Sequence, residues 1–546
     1  MLLAAANVYT CLKVSFIDGL AIPAALLAFG LFASRKGYGA LENNITTTVA
    51  SSAAVMSFLT GVVGPLPALA LLGLPTPKVG IALLAVATGV MGVFIAALLR
   101  RRLVVEEALP FPTGMATGQV IETIFSARDT AMRRVRLLVI AAAVAGAITW
   151  FRDGRPAFIP QAWMFGGTLG GIAAATLGLG LAIDPLLLGV GAMIGVRTAA
   201  GIVLGASAAR VVLGPWLVQR ALVPTAEPGS LNSWLIWPAL GLLLAGSFLP
   251  LLFDGGSIVR AFRELTSFGR ARSDAPRASD DNLAPRAWAL LLLASVAIVF
   301  LSGRFAFGVA PIVILIALAL ALLFANPAAR ATGETDVGPA GPLGTLGVIA
   351  TVNRGLTSGM FGGWVGLGML SQIAQTLWAF RAGHVLGASP RAQIRAQLLG
   401  VLIGAVVTVP VYFVVASSYG IGNEKMPAVG GLSWKATAEA MHGLSSLPRL
   451  GGTALLIGLG MGCVLTLLGR ARIGRFLPSA AAIGIGFMLP FSAALAVLVG
   501  ALLAAGAMKL LRGLEETSLM AVAAGSIAGE SVVGVVIAAL MAIGVL

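Results

Sequence analysis

Apolar runs about as long as a lipid bilayer is thick follow one another from the first residue of this chain to the last, broken only by short Gly-, Pro- and Arg-bearing connections. A helix needs about 20 apolar residues to cross the hydrocarbon core, so the pattern places the whole chain in a membrane. Charged residues make up 10% of the sequence and hydrophobic ones 58%, whereas soluble domains carry roughly a quarter charged residues. A water-soluble enzyme is thereby excluded. The 70 glycines, with Ala, Ser and Thr around them, suit helices packed closely in lipid, where small residues let backbones approach.

The punctuation predicts an all-α polytopic membrane protein of roughly 14 to 17 segments, some of them broken or re-entrant. Residues 160–182 count among the apolar runs, and residues 110–125 form one too short to cross unaided. The longest polar stretch, Asp254 to Arg286, reads as a cytoplasmic linker between an N-terminal transmembrane repeat (1–253) and a C-terminal one (287–546). The formal charge of +15 comes mostly from arginines in short connections, at 100–102, 128–136 and 470–475. These read as positive-inside anchors and not as a nucleic-acid interface, because no polar domain carries them.

The halves read as a repeat. FPTGMATGQVIETI from Phe111 and PAVGGLSWKATAEAMHG from Pro427 both run Pro, Gly, Ala-Thr, then an acid, and DPLLLGVGAMIGVRTAAGIVLGA from Asp184 aligns with LPSAAAIGIGFMLPFSAALAVLVGA from Leu477. Short, Gly/Pro-interrupted segments at matching positions of two halves point to a transporter's substrate site. The first segment is bracketed by arginine clusters on both sides, so a full crossing would put basic residues on opposite faces; a broken or re-entrant helix removes that conflict. The plain alternative is an ordinary helix start with proline in its first turn.

Acids inside apolar segments are functional candidates because an unpaired charge in lipid is costly. Asp18, Glu42, Glu122, Asp184, Glu439 and Glu530 are such acids. Glu122 and Glu439 hold nearly equivalent repeat positions and, with Glu530, are the candidates for proton coupling; pairing with an arginine such as Arg197 or Arg354 is the structural alternative. Candidate substrate contacts are Glu42, Asn43 and Asn44 in ENNITTTVASS, then Phe111, Pro112, Thr113, Gly114 and Thr117, then Arg197, Trp434 and Thr437. Glu42 reads equally as a helix cap. Glu439 and His442 have the E-x-x-H spacing of carboxylate-bridged metal bundles, but His384 is the only other histidine, so neither a metal centre nor another cofactor is expected. No lysine follows a glycine, which leaves no Walker A loop, and no nucleophile and base stand assembled for an enzyme.

ENNITTTVASSA from Glu42, PFPTGMATGQVIE from Pro110, FRAGHVLGASPRAQIRAQLLGVLIGA from Phe380, RIGRFLPSAAAIGIGFMLP from Arg472 and AAGSIAGESVVGV from Ala523 resemble, in that order, the oligopeptide transporter (OPT) family. The resemblance is nearest to its bacterial branch beside the yellow-stripe-like (YSL) metal-chelate transporters, and it covers essentially the whole chain. It implies about 16 transmembrane segments in two related halves, forming a secondary active transporter of small peptides or metal chelates, driven by protons, in the bacterial inner membrane. It allows a homo-oligomer and leaves open which substrate is carried. The family's first helix usually begins some residues before Met1, which implies a shortened or misassigned start. A channel, a permease subunit of a separately powered complex, or a polytopic membrane enzyme are the competing readings.

Overall fold

The computed structural model describes the chain apart from residues 16–19, 254–284, 337, 443–446, 472–473, 475–476 and 512–514. Asp18, Arg472, Arg475 and nearly all of the polar stretch from Asp254 to Arg286 therefore lie outside the described residues.

Helices α1 (Leu2–Val14), α2 (Ala21–Phe32), α3 (Ala40–Ala54), α4 (Met56–Leu59), α5 (Pro65–Leu71), α6 (Lys78–Arg100) and α7 (Pro112–Ser126) open the chain. Helices α8 (Arg128–Asp153), α9 (Pro185–Ser207), α10 (Gly214–Gln219) and α11 (Pro228–Phe253) follow. After the polar stretch come α12 (Pro285–Leu301), α13 (Pro311–Thr335), α14 (Ala340–Thr351), α15 (Leu356–Leu386) and α16 (Pro390–Tyr419). The last five are α17 (Val429–His442), α18 (Gly451–Arg470), α19 (Ala480–Met488), α20 (Phe491–Leu510) and α21 (Glu516–Ala542). Among the described residues, ten helices are long and apolar enough to cross a membrane. Of the other helices, α15 is long, at 31 residues, but less apolar, and the rest are shorter.

The interruptions have identifiable causes. After α6 the helix widens into a π-helical turn over Arg101–Glu106, and Phe111, in the left-handed region at φ 41°, turns the chain into α7 with Pro112 at its first position. That position suits proline, whose missing N–H has no partner to lose there. At 1.5 Å per residue, the 15 residues of α7 reach about 22 Å, short of the roughly 30 Å hydrocarbon core. Gly195 breaks α9 with φ 78°.

The run at 160–182 is a correction to the expected membrane segment: it is not helical. Ala162–Met164 (β1) pairs antiparallel with Gly180–Ala182 (β4), and Thr168–Leu169 (β2) with Ile172–Ala173 (β3). Gly167, Gly170, Gly171 and Gly178 all have positive φ, and so many glycines in backbone conformations foreign to a helix override the apolar composition.

The chain forms two compact units. One comprises Met1–Asn7, Ile17–Arg133 and Leu251–Pro410; the other comprises Val8–Phe16, Arg134–Pro250 and Val411–Leu546. Each thus draws on sequence from both sides of the polar stretch. In the first, α15 is buried almost all round, the mark of a helix at the centre of a bundle. Its Trp364 indole donates to Leu59 O at 2.7 Å, and Gly61, at φ 73°, lies where an added Cβ would stand 2.5 Å from that ring. In the second unit, α9 packs backbone to backbone on α20, with Gly191 against Val497 O and Gly500 against Leu188. The same helix also packs on α19, with Gly205 against Ile483 O and Gly486 against Ile202 O, so the segments from Asp184 and from Leu477 meet in this unit.

Candidate functional site

A cavity of about 200 Å³, lined by both polar and apolar residues, lies within the first unit. Its walls follow from helical periodicity. Asn44, Thr47, Thr48 and Ser51 recur at i, i+3, i+4 and i+7 on α3, and Ser371, Ala374, Gln375 and Trp378 repeat the same spacing on α15, so each set shares one helix face. Thr113 and Thr117, four apart on α7, and Asp336, just past the end of α13, complete the polar lining.

Asp336 organises the start of α7. Its backbone, at φ 64°, closes α13 by donating to Thr332 O. Its Oδ1 accepts from Thr113 N at 3.0 Å and from Trp378 Nε1 at 2.8 Å, and its Oδ2 accepts from Thr113 Oγ1 at 2.6 Å. A carboxylate at the positive end of a helix, taking one of its unsatisfied N–H groups, stabilises that end. Phe111 N meanwhile donates to Gly333 O at 2.9 Å. Most lining hydroxyls are satisfied locally: Thr48 donates to Asn44 O and Thr117 to Thr113 O. Asn44 Nδ2 and Ser371 Oγ are buried with no partner among the described residues.

The structure brings three of the sequence candidates, Asn44, Thr113 and Thr117, to this cavity. Asn43 is fully buried and fastens α3 to α2 by donating to Ala25 O at 3.0 Å. Glu42 caps α3, accepting from Gly39 N at 3.0 Å, and lines an open surface hollow instead. Phe111 is buried at the helix start and Pro112 is exposed. Gly114 packs against α15, where an added Cβ would run into Trp378 O and stand 2.9 Å from Arg381 Cβ. Gly114→Leu is therefore expected to overpack this contact by about 1–3 kcal/mol, read as a lower thermal midpoint and a smaller monodisperse yield in detergent; unchanged stability would contradict the packing role.

The other candidates stand elsewhere. Arg197 donates to Leu477 O at 2.8 Å and Gly474 O at 2.5 Å. On α17, Trp434 is buried, Thr437 donates to Ser433 O, and Glu439 lies 3.8 Å from Lys435. Glu122 is exposed on α7.

Glu530, on α21, is fully buried within the second unit and sits in a network of charges. Its Oε1 is paired with Lys13 and, at 2.9 Å, with Arg152 NH2, while its Oε2 accepts from Leu186 N at 2.8 Å. Lys13 also pairs with Asp184, which caps α9 through Leu187 N. Arg152 reaches Asp184 at 3.3 Å and Asp153 at 2.6 Å and donates to Ile183 O at 2.8 Å. Buried charges persist only when paired and hydrogen-bonded. Here three carboxylates, of Asp153, Asp184 and Glu530, face two cations, Lys13 and Arg152. A cavity of about 350 Å³ opens onto this network, lined also by Tyr9, Tyr419, Glu424 and Lys425. Apart from Glu530 and Asp184, nothing in the sequence singled these residues out; a lysine and an arginine inside apolar helices were the available signal.

Residues 1–541 match the family described as OPT oligopeptide transporter protein. The chain is 27% identical, over 98% of its length and 92% of the relative's, to a Haemophilus influenzae protein provisionally named an oligopeptide transporter. It is also 29% identical, over 38% of its length, to the metal-nicotianamine transporter YSL1 of Arabidopsis thaliana, of which that stretch spans 32%.

Proposed function

The chain belongs to the oligopeptide transporter family, whose members are transporters and not enzymes, and from that premise we propose that it is a proton-coupled secondary transporter of oligopeptides or metal chelates. The observation that carries this reading is the cavity at the start of α7, a chamber that sets Asp336 and a row of hydroxyls and amides among apolar side chains beside a helix too short to span. Substrate binds there. Coupling falls to the acids Glu122, Glu439 and Glu530, and the buried network supports Glu530 most strongly, because a carboxylate in excess over its cations is a place for a proton to be carried.

The test is uptake into proteoliposomes under an imposed pH gradient, with labelled di- to hexapeptides and ferric chelates as substrates. Accumulation that collapses on adding an uncoupler is expected. Accumulation indifferent to the uncoupler rejects proton coupling, and equilibration without concentration favours a channel.

The proposal includes about 16 membrane segments in two related repeats, 1–253 and 287–546, in the bacterial inner membrane, with 254–286 cytoplasmic. Single-cysteine labelling from either side of the membrane should place Asp254 to Arg286 and Arg470 to Arg475 on the same face; opposite faces would overturn the topology.

A further inference from the structure

The charge on the walls of the first unit's cavity narrows what it can hold. Asp336 is the one charged side chain among the described lining residues; no lysine, arginine or histidine joins it. Its charge is met by three neutral donors, Thr113 N, Thr113 Oγ1 and Trp378 Nε1, and among the described residues no cation pairs with it. A carboxylate offers about four acceptor sites, so roughly one stays open, on Oδ2.

Asn44 makes the second point. Its side chain is 1% exposed, it lines the same cavity, and its Nδ2 donates to nothing among the described residues. A buried amide donor without a partner calls for an explanation, and a carbonyl oxygen supplied by a ligand would satisfy it. Ser371 Oγ, 93% buried on the opposite wall by its 7% exposure, is likewise without a partner and can donate or accept.

We infer that this cavity receives the ammonium-bearing, amide-containing end of its ligand, with Asp336 accepting from the ammonium and Asn44 donating to a carbonyl, and that it turns away anionic chelates. The inference rests on the transport reading for its setting and deepens it by choosing between the two substrate classes. The physical reason is that charge interactions strengthen away from water. An ammonium group gains from a carboxylate solvated only by neutral donors, whereas the carboxylates of a chelate would meet a like charge with no base among the described lining residues to offset it. The ammonium could be a chain terminus or a lysine side chain; the recognising chemistry is the same.

The test is equilibrium binding to the purified full-length protein in lipid nanodiscs, by calorimetry. The probes are trialanine, its C-terminal amide, N-acetyl-trialanine, N-acetyl-Ala-Lys-Ala and nickel(II)–nicotianamine. N-acetylation of trialanine should weaken binding about tenfold or more, and amidation should change it by less than about threefold. The nickel chelate should bind about tenfold or more weakly than trialanine amide. Retained affinity of the acetylated lysine peptide assigns the ammonium to a side chain, and its loss assigns it to the chain terminus; both agree with the inference. Equal affinity for trialanine and both acetylated peptides, a chelate that binds as tightly as the peptides, or no binding by any probe would overturn it. Asp336→Asn should bring the effect of acetylation close to onefold. Because Asp336 also caps α7, the comparison of ligands on the unaltered protein decides the question if that variant does not fold. Absence of uptake in vesicles with these affinity ratios intact would overturn the transport reading alone; uptake without the ratios would overturn this site assignment alone.

Discussion

Arg152→Met should cost the second unit about 3–5 kcal/mol, the range for removing one partner of a buried ion pair, and with it most of the folded protein. Arg152 reaches Glu530, Asp153 and Asp184 together, and its side chain is 2% exposed. Without it, three carboxylates would face Lys13 alone, so the damage comes from uncompensated charge far more than from lost volume, which methionine largely replaces. A loss of that size lowers the folded-to-unfolded ratio by roughly two to four orders of magnitude. The measurement is monodisperse yield and thermal midpoint in detergent. Lys435→Met provides the contrast: its pair with Glu439 spans 3.8 Å with both side chains about a third exposed, and such pairs contribute about 0–1 kcal/mol. If charge balance is the cause, adding Glu530→Gln to Arg152→Met restores the original excess of one carboxylate over the cations and should recover much of the loss. A double variant as unstable as the sum of the two single ones would show that the residues act independently.

What could be read from the chain beforehand divides along a physical line. The membrane setting and the helical class follow from composition and run length, which are local properties; so does the break before α7, because Pro112 and the arginines around it lie close together in sequence. The polar face of α3 was equally legible, since Asn44, Thr47, Thr48 and Ser51 fall on one helical stripe. Asp336 and Trp378 were not. Asp336 reaches Thr113 from more than 200 residues away and is itself held by Trp378, and no spacing rule connects positions that only tertiary packing brings together. The same holds for Lys13, Arg152 and Asp184 around Glu530. Repeat alignment also has a physical limit. It sets Glu122 beside Glu439, yet one is exposed and the other is half-buried beside a lysine, because burial depends on what packs against each helix and not on local spacing. At 160–182 composition pointed to a helix while the glycines set the backbone, and the backbone prevailed.

Glu530→Gln should abolish gradient-driven accumulation, from many-fold over the outside concentration to about onefold, while leaving exchange of substrate across the membrane largely intact. In the original network three carboxylates share two cations in a buried site, an imbalance that a bound proton would neutralise. Glutamine fixes the neutral form permanently: two carboxylates then face two cations, so this variant, unlike Arg152→Met, should keep its fold. It gives up one acceptor, because Oε1 serves Lys13 and Arg152 while Oε2 serves Leu186 N, and only one oxygen remains. That loss is worth about 1–3 kcal/mol, large enough to lower the thermal midpoint and too small to empty the folded state of a protein of ordinary stability. A fold that survives with its charge exchange frozen separates coupling from structure. If the proposed coupling holds, counterflow of labelled against unlabelled substrate should persist where uphill uptake stops, because substrate movement would no longer carry a proton. Glu122→Gln and Glu439→Gln, measured alongside, apportion the work among the three acids. Glu530→Gln protein that is folded and still concentrates substrate with the original pH dependence would remove this network from the coupling mechanism and leave it as packing alone.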